Sequence, residues 1–574
     1  VNSIADTNIF DRRLWRRFWE IARMYWFSEE KWQVRGVLAL LLVLLFGFTA
    51  LNVLLNFVGR DFMTALAEKK LSDFNKSLLL YLGAFVVATP VSAFYSFVRK
   101  KLGINWRLWL TKHFLGRYFE NRSYYHINDD KGIDNPDQRI SQDISSFTVT
   151  SLGFLSILFF SLVQLISFIG ILWSISITLV LILVAYAGIG TLVTMFFGKR
   201  LINLNFQQLR READFRYGLV HIRDNVESIA FYRGEDREQH QVQERLREAI
   251  ANLRMLIGWE RNLEFFTKGY EYIILVLPIV VMAPLYFSGE IKFGVVTQAE
   301  SAFVQVLGAL SIIVSQFEQL SNFAAGITRL ETFATALDQP AAKAITQTPI
   351  IESREESRLA LAHVTLQTPN YQQTFLRDAT AEVPPGKGLL ITGASGAGKS
   401  SVLRAVAGLW NAGAGHISRP PLQEMFFLPQ RPYMVLGSLR DQLLYPHLDQ
   451  EASDGELREA LGKVNLADLP ERVGGFDVEM DWGLLLSLGE QQRLAFARLL
   501  LSRPRYAVLD EATSALDVTN EARLYGQLQR SGATFISVGH RPSLLAYHDQ
   551  VLELRGGGDW RLMPAPEFQP ESAR

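Results

Sequence analysis

The chain of 574 residues contains no cysteine. Disulfides, thiolate catalysis and cysteine-ligated zinc are therefore excluded. It also lacks an excess of charge of either sign, because 58 Lys and Arg balance 58 Asp and Glu. That balance provides no electrostatic footprint for nucleic acid or for a strongly acidic partner. The nine histidines form no HExxH or HxH grouping, so a histidine metal site lacks its usual spacing. Glycine and proline are scarce in two long segments, 99–149 and 199–267. Segments of that length with so few turn formers are expected to be helical rather than loose loops.

Apolar residues make up 49% of the chain, and they are unevenly placed. Six stretches read as membrane spans: 37–58 ("VLALLLVLLFGFTALNVLLNFV"), 77–98, 152–173, 175–198, 269–288 and 294–316. Each is near the ~20 residues needed to cross a bilayer core. The first, third and fourth carry no charged side chain through their apolar cores, which argues against buried helices of a water-soluble protein. Lys and Arg crowd the segments 99–149 and 199–267, while the other connections are short and carry few. The positive-inside rule puts both basic segments, and with them both termini, in the cytoplasm. Their length and composition predict helices that continue beyond the membrane.

The sixth span is the most polar. At 100° per residue, Gln298, Ser301, Gln305, Gln316 and Gln319 fall within about 60° of one another, with Glu300 on the other face. Such a stripe is expected to line a central cavity, the alternative being amides that bind neighbouring helices. Near the N-terminus, "DRRLWRRFWEIARMYWFSEEKW" alternates basic residues with Trp and Phe. No apolar stretch there precedes a small-residue cleavage site, so an interfacial helix is expected rather than a cleaved leader.

The composition changes after about 330. Segment 337–357 ("LDQPAAKAITQTPIIESREES") is polar and reads as a linker. Beyond it, short β-rich runs such as "RLALAHVTL", "GKGLLITG", "EMFFLPQ", "RYAVLD" and "ATFISVGH" alternate with helical patterns. This alternation predicts an α/β domain with a largely parallel sheet. The expected organisation is an interfacial helix over 1–34, a six-span α-helical membrane domain over 35–336, the linker over 337–357, and an α/β domain over 358–574.

Within the last domain, "GASGAGKSS" (393–401) follows a predicted strand and precedes the helical "SVLRAVAGLW". Gly393, Gly398, Lys399 and Ser400 satisfy GxxxxGK[ST] in the context a P-loop requires. Backbone N–H groups over Gly393, Ala394, Ser395, Gly396, Ala397, Gly398, Lys399, Ser400 and Ser401 can converge on phosphate oxygens. Lys399 supplies a point charge for the β and γ phosphates, the helix N-terminus adds its dipole, and the Ser400 hydroxyl suits Mg²⁺. ATP and Mg²⁺ are thus the expected ligands. In "RYAVLDEATSALD" (505–517) an apolar strand ends in two carboxylates. Asp510 is placed to hold Mg²⁺ through water, and Glu511 to polarise an attacking water. His540 ends another apolar run, "TFISVGH", and is assigned to the γ-phosphate.

"LSLGEQQR" (486–493) stands between these motifs. The P-loop, this serine–glycine segment, the DEATSALD run and the final histidine, in that order, resemble the ATPase domain of the ABC (ATP-binding cassette) superfamily. The resemblance implies that Gln430 in "LPQRPYM" senses Mg²⁺ and water, and that Ser514 to Asp517 form the D-loop. It also implies that Ser487 and Gly489 contact the γ-phosphate of an ATP held by a second chain. Position 488 is Leu where the family has Gly, and Glu490 replaces its commonest Gln. Tyr371 lies at about the family's distance before Lys399 for the aromatic that stacks on adenine.

"NPDQRISQDI" (135–144), "ESIAFYRGEDRE" (227–238) and "PQRPYMVLGSLRDQLLYP" (429–446) resemble the ABCD branch, with its peroxisomal and lysosomal half-transporters and bacterial relatives. The resemblance implies an exporter-type fold with coupling helices in the two cytoplasmic segments, and a unit of two chains, expected to be a homodimer. Membrane lipid and a transported solute are the other partners it implies. The solute class covers cobalamin-like, acyl-CoA-like and peptide cargo, with an ATP-gated channel or transport regulator as the alternative function. The Val at position 1, as when a GTG start codon is translated literally, points to a bacterial inner membrane.

Overall fold

A bilayer core offers backbone N–H and C=O groups no partner but one another, so the apolar runs have to become helices. In the computed structural model, residues 12–128, 135–315, 317–342 and 349–569 are described. Two units are distinguished, one up to Ile345 and one from Thr346.

Among the described residues the first unit contains helices and no strand. It begins with α1 (Arg12–Trp26), α2 (Lys31–Ala67) and α3 (Leu71–Phe119), followed by short helices α4 (Ser123–Asn128) and α5 (Pro136–Gln138). Then come α6 (Ile144–Ile175), α7 (Ile177–Asp224), the short α8 (Val226–Tyr232), α9 (Glu235–Phe287), α10 (Phe293–Ser315) and α11 (Phe317–Ala342). Six of them, α2, α3, α6, α7, α9 and α10, are long and apolar enough to cross a membrane. They coincide with the six stretches read from the sequence. Three tight connections, at Glu68–Lys70, Ser176 and 288–292, join them on the side that carries few basic residues. On the other side the helices run on: α3 has 49 residues, about 74 Å at 1.5 Å per residue, well beyond a ~30 Å hydrocarbon core. The basic segments are thus largely helical extensions of the spans. Short helices interrupt them, α4 and α5 in the first and α8 in the second.

α1 does not simply float at an interface. Its inner face, Ile21, Ala22 and Tyr25, is fully buried. Tyr25 stacks on Trp106 of α3 with ring centroids 5.8 Å apart, and Phe18 packs against Phe147 of α6 and Phe323 of α11. Aromatic pairs of this kind add about 0.5–1.5 kcal/mol each beyond the area they bury. The outer face exposes Trp15 and Trp19, the amphipathic pattern seen in the sequence.

A π-helical turn, Arg139–Asp143, leads into α6. It buries Asp143, whose carboxylate accepts from Arg139 at 3.0 Å and, through both oxygens, from Arg329 of α11 at 2.9 and 2.6 Å. A buried carboxylate needs this compensation, and removing one partner of such a cluster costs about 3–5 kcal/mol. The cluster ties α11 to the start of α6. Helix α11 runs on to Ala342, into the segment read as a linker, because Phe333, Ala334, Ala336 and Leu337 are buried against this bundle.

The polar residues of the sixth span do not share one open face. Helix α10 packs against α2, α6, α7 and α9. Gln298 is buried, with only its backbone carbonyl engaged by Asn56 of α2, and Gln305 accepts a hydrogen bond from Gln164 of α6. Ser301, Val304 and Gly308 form the exposed strip, and Glu300 is half-buried. Gln319 is exposed on α11 and lines a cavity of about 580 Å³ with Arg99, Lys100 and Arg107. Gln316 lies outside the described residues. A neighbouring helix takes up the Gln305 amide, since a buried amide in hydrocarbon finds no water, whereas the Gln298 side-chain nitrogen is buried with no hydrogen-bond partner among the described residues. The open side of the helix is therefore rotated away from Gln298 and Gln305.

The second unit contains the strands β1 (Glu352–Glu355), β2 (Leu359–Gln367), β3 (Thr374–Val383), β4 (Gly388–Gly393), β5 (Gly413–Arg419), β6 (Met425–Leu428), β7 (Gly437–Ser438), β8 (Glu479–Met480), β9 (Tyr506–Asp510), β10 (Thr534–Val538), β11 (Gln550–Gly556) and β12 (Asp559–Pro564). Its helices are α12 (Lys399–Val406), α13 (Leu439–Leu444), α14 (Asp454–Lys463), α15 (Leu469–Val473), α16 (Trp482–Leu485), α17 (Leu488–Ser502) and α18 (Val518–Arg530). The main sheet has the order β12-β11-β4-β10-β9-β6 and is parallel except for β12. A second, four-stranded sheet has the order β1-β5-β2-β3. The central strands β4, β9 and β10 are buried on both faces, as their largely apolar runs require. The fold is thus the expected helical membrane unit joined in sequence to an α/β unit.

The rotation of α10 is open to test by thiol labelling, because the chain has no native cysteine. Ser301→Cys should react with a membrane-impermeant maleimide in detergent micelles, whereas Gln298→Cys should react at least tenfold more slowly. Equal rates at the two positions would contradict the packing described for α10.

Candidate functional site

Parallel neighbours end at the same edge of a sheet, and that edge is where α/β proteins place ligands. Here β4 runs into the glycine-rich loop, β9 ends at Asp510, and β10 leads to His540. Their register brings the ends level: Val538 pairs with Ile391 on one side and with Asp510 on the other.

The loop 393–398 is shaped by glycine. Gly393, Gly396 and Gly398 have φ of 141°, 79° and 96°, in the region L side chains rarely adopt. A Cβ at Gly398 would also fall 2.6 Å from the Phe375 ring, and one at Gly393 would strike the Leu554 carbonyl. Ser395 and Gly396 are open, while Ala397 and Ser401 are buried beneath the loop. Lys399 begins α12, and its ammonium donates to the Gly393 and Ala394 carbonyls at 2.9 Å each. The cation is thereby held across the mouth of the loop at the helix N-terminus. This is a concave, donor-rich anion site.

Two acid pairs face it. The Ser400 hydroxyl donates to Asp510 Oδ1 at 3.0 Å, and Gln430 Nε2 donates to Glu511 Oε2 at 2.8 Å. Glu511 itself has φ of 46°, a left-handed conformation that costs a non-glycine residue about 1–3 kcal/mol. It is held there by its own N–H on the Val538 carbonyl and by its carbonyl on the Ser514 N–H. Burial, reinforced by the neighbouring charge of Glu511, pushes the Asp510 carboxyl above the ordinary aspartate range despite its bond from Ser400. No group of three or more His, Asp or Glu side chains gathers here or elsewhere among the described residues. The oxygens of Ser400, Asp510 and Gln430 suit a hard cation such as Mg²⁺, and such a small set fits an ion that takes its other ligands from phosphate and water.

Of the residues singled out in the sequence, the structure brings together the glycine-rich loop, Lys399, Ser400, Gln430, Asp510 and Glu511. His540 is exposed, just past the end of β10. Tyr371 sits in the β2–β3 turn with φ of 58° and donates its hydroxyl to the Pro349 carbonyl at 3.2 Å. Ser487 and Gly489 belong to a different element, the N-terminus of α17. Ser487 caps that helix through a reciprocal box with Glu490. The Ser487 N–H and hydroxyl both donate to Glu490 Oε2 at 2.9 Å, and Arg472 of α15 donates to Oε1 at 2.7 Å. Burial alone would raise the Glu490 carboxyl, but the Ser487 and Arg472 contacts outweigh it and hold it below its ordinary value. Leu488 takes the first helical position with its side chain partly exposed, so no glycine conformation is needed there. At Gly489, by contrast, a Cβ would lie 3.1 Å from the Ala515 carbonyl.

Sequence reasoning passed over the residues that hold these parts in place. Gln492 is buried and links two loops. Its amide donates to the Gln430 carbonyl and to Ser514 Oγ, and its oxygen accepts from the Ala515 N–H at 3.0 Å. Arg541 donates to the Leu516 and Ser514 carbonyls and pairs with Glu521, which is fully buried and also bonded by Thr513 and Ser543. A polar residue on the apolar face of α17 was the available signal for Gln492. Nothing in the local pattern marks Arg541.

The arrangement is that of a P-loop ATP-binding domain attached to a six-span membrane unit. The family profile described as ABC transporter transmembrane region 2 matches residues 21–287, and the ABC transporter profile matches residues 376–514. Similar curated proteins include an ABC transporter ATP-binding protein of Synechocystis, 50% identical over 93% of this chain and 82% of its own length. The Arabidopsis thaliana ABC transporter D family member 2, chloroplastic, is 42% identical over 95% and 86%, and a mouse lysosomal cobalamin transporter is 33% identical over 96% of both chains. The chain belongs to the ABC transporter family and is a multi-pass membrane half-transporter of its D-type branch.

The raised carboxyl of Asp510 has a measurable consequence. A carboxylate whose folded-state pKa lies above its unfolded value destabilises the fold once pH rises through the folded value, and does not below the unfolded one. Asp510→Asn keeps an acceptor for Ser400 and removes the charge. In the absence of nucleotide it should raise the thermal midpoint by a few degrees at pH 7. That gain should vanish as pH falls below the ordinary aspartate range, about pH 4.

Proposed function

We propose that two copies of this chain form an ATP-driven pump for a large hydrophilic or amphipathic solute. The observation that carries the reading is the pair of contacts at the sheet edge, Ser400 with Asp510 and Gln430 with Glu511, facing the glycine-rich loop. The loop N–H groups from Gly393 to Ser401, with Lys399, would hold the ATP phosphates. Ser400, Gln430 and Asp510 would hold Mg²⁺, which when bound would neutralise charge on the phosphates. Glu511 orients and polarises the attacking water, and His540 binds the γ-phosphate. Tyr371, its hydroxyl tied to Pro349, is the aromatic assigned to adenine.

Ser487 and Gly489 lie at the N-terminus of α17, on a separate element from the loop. In a two-fold dimer they would close the nucleotide site of the second copy, whose own α17 closes the first. Both halves of such a site carry the residues they need in this chain, which favours a homodimer over a pairing with a different half-transporter. The bacterial relatives support a bacterial inner membrane with the ATP-binding domain in the cytoplasm. A cobalamin-like cargo finds support in the cobalamin transporter among the relatives. Acyl-CoA-like and peptide cargo share the same solute class. An ATP-gated channel would use the same binding site but would not need the intact Glu511 and His540 for repeated turnover.

The test is ATP hydrolysis and solute uptake in proteoliposomes. Wild-type protein should hydrolyse ATP and accumulate cargo against a gradient. Glu511→Gln should still bind ATP, because Lys399, Ser400 and Asp510 remain, but should lose about 10²–10⁴-fold of turnover. Turnover within a few-fold of wild type would remove Glu511 from its assigned role. Full ATPase activity from a strictly monomeric preparation would remove the dimer, and solute flow down a gradient without turnover would favour the channel.

A further inference from the structure

The N-terminus of α17 already holds an anion. Glu490 is the third residue of the helix, its side chain only 16% exposed, and one of its oxygens takes both the Ser487 N–H and the Ser487 hydroxyl. In the homodimer proposed above, the γ-phosphate of the partner copy must approach this same hydroxyl. Two anions would then compete for one serine and for one helix N-terminus, where like charges repel. The only cation bonded to Glu490 among the described residues is Arg472, at 2.7 Å on the oxygen that Ser487 does not use. Arg472 comes from α15, a short helix that ends at Gly474 and Gly475, and its other acidic neighbour, Asp468, stands off at 3.8 Å.

We propose that Arg472 is a positioning residue for the composite ATP site, neutralising Glu490 so that Ser487 can turn its hydroxyl to the phosphate of the partner copy. The inference rests on the homodimeric reading. Its chemistry is specific to an acidic signature segment: with glutamine at position 490 there is no charge to cancel. The carboxylate and the guanidinium form a fixed pair. The serine hydroxyl is the part that exchanges between Glu490, when the site is open, and the phosphate, when it closes. A positive charge on the far oxygen of Glu490 draws density away from the near one and weakens its claim on that hydroxyl.

The experiment is a double-mutant cycle on the full-length protein in proteoliposomes, read as KM for ATP and kcat separately. Arg472→Ala should raise KM for ATP about five- to tenfold with a smaller effect on kcat, the range of a single ion pair lost near a bound anion. Arg472→Gln, which keeps a donor without the charge, should behave alike, and Arg472→Lys should stay within about twofold. The defect should be largest at low ionic strength and shrink as salt screens the carboxylate left without Arg472. In a Glu490→Gln background, Arg472→Ala should change KM less than about twofold. An unchanged KM in both Arg472→Ala and Arg472→Gln, or an equal loss in both backgrounds, overturns the inference while leaving ATP hydrolysis in place. Full ATPase activity from a strictly monomeric preparation overturns the homodimeric reading and this inference with it.

Discussion

The hydrogen bond between Ser400 and Asp510 joins residues 110 positions apart, and it exists because β4, β10 and β9 run parallel and side by side. Parallel strands deliver their C-terminal ends to one edge, so the loop after β4 and the acids at the end of β9 arrive together, while His540 lies exposed just past β10. Each strand is mostly apolar, because a sheet with both faces covered has no solvent side, and the polar Thr534 and Ser537 of β10 are small. The chemistry sits where those buried runs stop. The same constraint explains the strained Glu511. The chain has to leave β9 sharply for its carboxylate to meet Gln430, and the Val538 and Ser514 contacts compensate for the left-handed backbone.

In the membrane unit the governing constraint is satisfaction of polar groups without water. The spans form helices for that reason, and some of the buried side chains follow it, while Ser156, Ser161 and the Gln298 amide nitrogen are buried without a partner among the described residues. Gln305 finds Gln164, and Tyr186 and Tyr270 exchange hydrogen bonds with each other's backbone carbonyls while their rings stack 4.2 Å apart. Close approach is allowed where a side chain is missing: a Cβ on Gly190 would enter the Tyr270 ring, and one on Gly294 would meet the Arg60 carbonyl of α2. At the start of α6 the cluster of Asp143 with Arg139 and Arg329 does for charge what the Gln164–Gln305 pair does for dipoles. A π turn there re-aims Asp143 into the helix bundle, where an uninterrupted α-helix would present a different face.

A second theme is that the obvious motif residues depend on quiet ones. Gln492 binds the backbone of the Gln430 loop and of the segment after Glu511 with one amide, so neither can move without the other. Buried Glu521 and half-buried Arg541 hold the same segment from the other side. Glu490 caps α17 through Ser487, and Arg472 pairs with its other oxygen. In each case a polar group is tolerated in a buried position because every one of its bonds is met, which also makes the arrangement stiff.

The sequence by itself determined the six apolar spans, the change from a helical half to an α/β half, and the glycine-rich loop between β4 and α12. These depend on local information: run length set by bilayer thickness, alternation set by strand and helix periods, and a glycine spacing that only one loop geometry uses. It also foretold that the basic segments are helical, since they hold so few turn formers. What it left undecided depends on which helix stands next to which. The polar stripe of the sixth span looked continuous on a wheel, yet Gln298 is buried, Gln305 pairs with Gln164 of α6, and only Ser301 of that set is open on α10. The burial of α1 against Trp106, the meeting of Asp143 with Arg329, and the bridging by Gln492 and Arg541 likewise join residues far apart in the chain. Periodicity reports which face of a helix is polar. Only tertiary packing decides whether that face meets solvent or the amide of a neighbour.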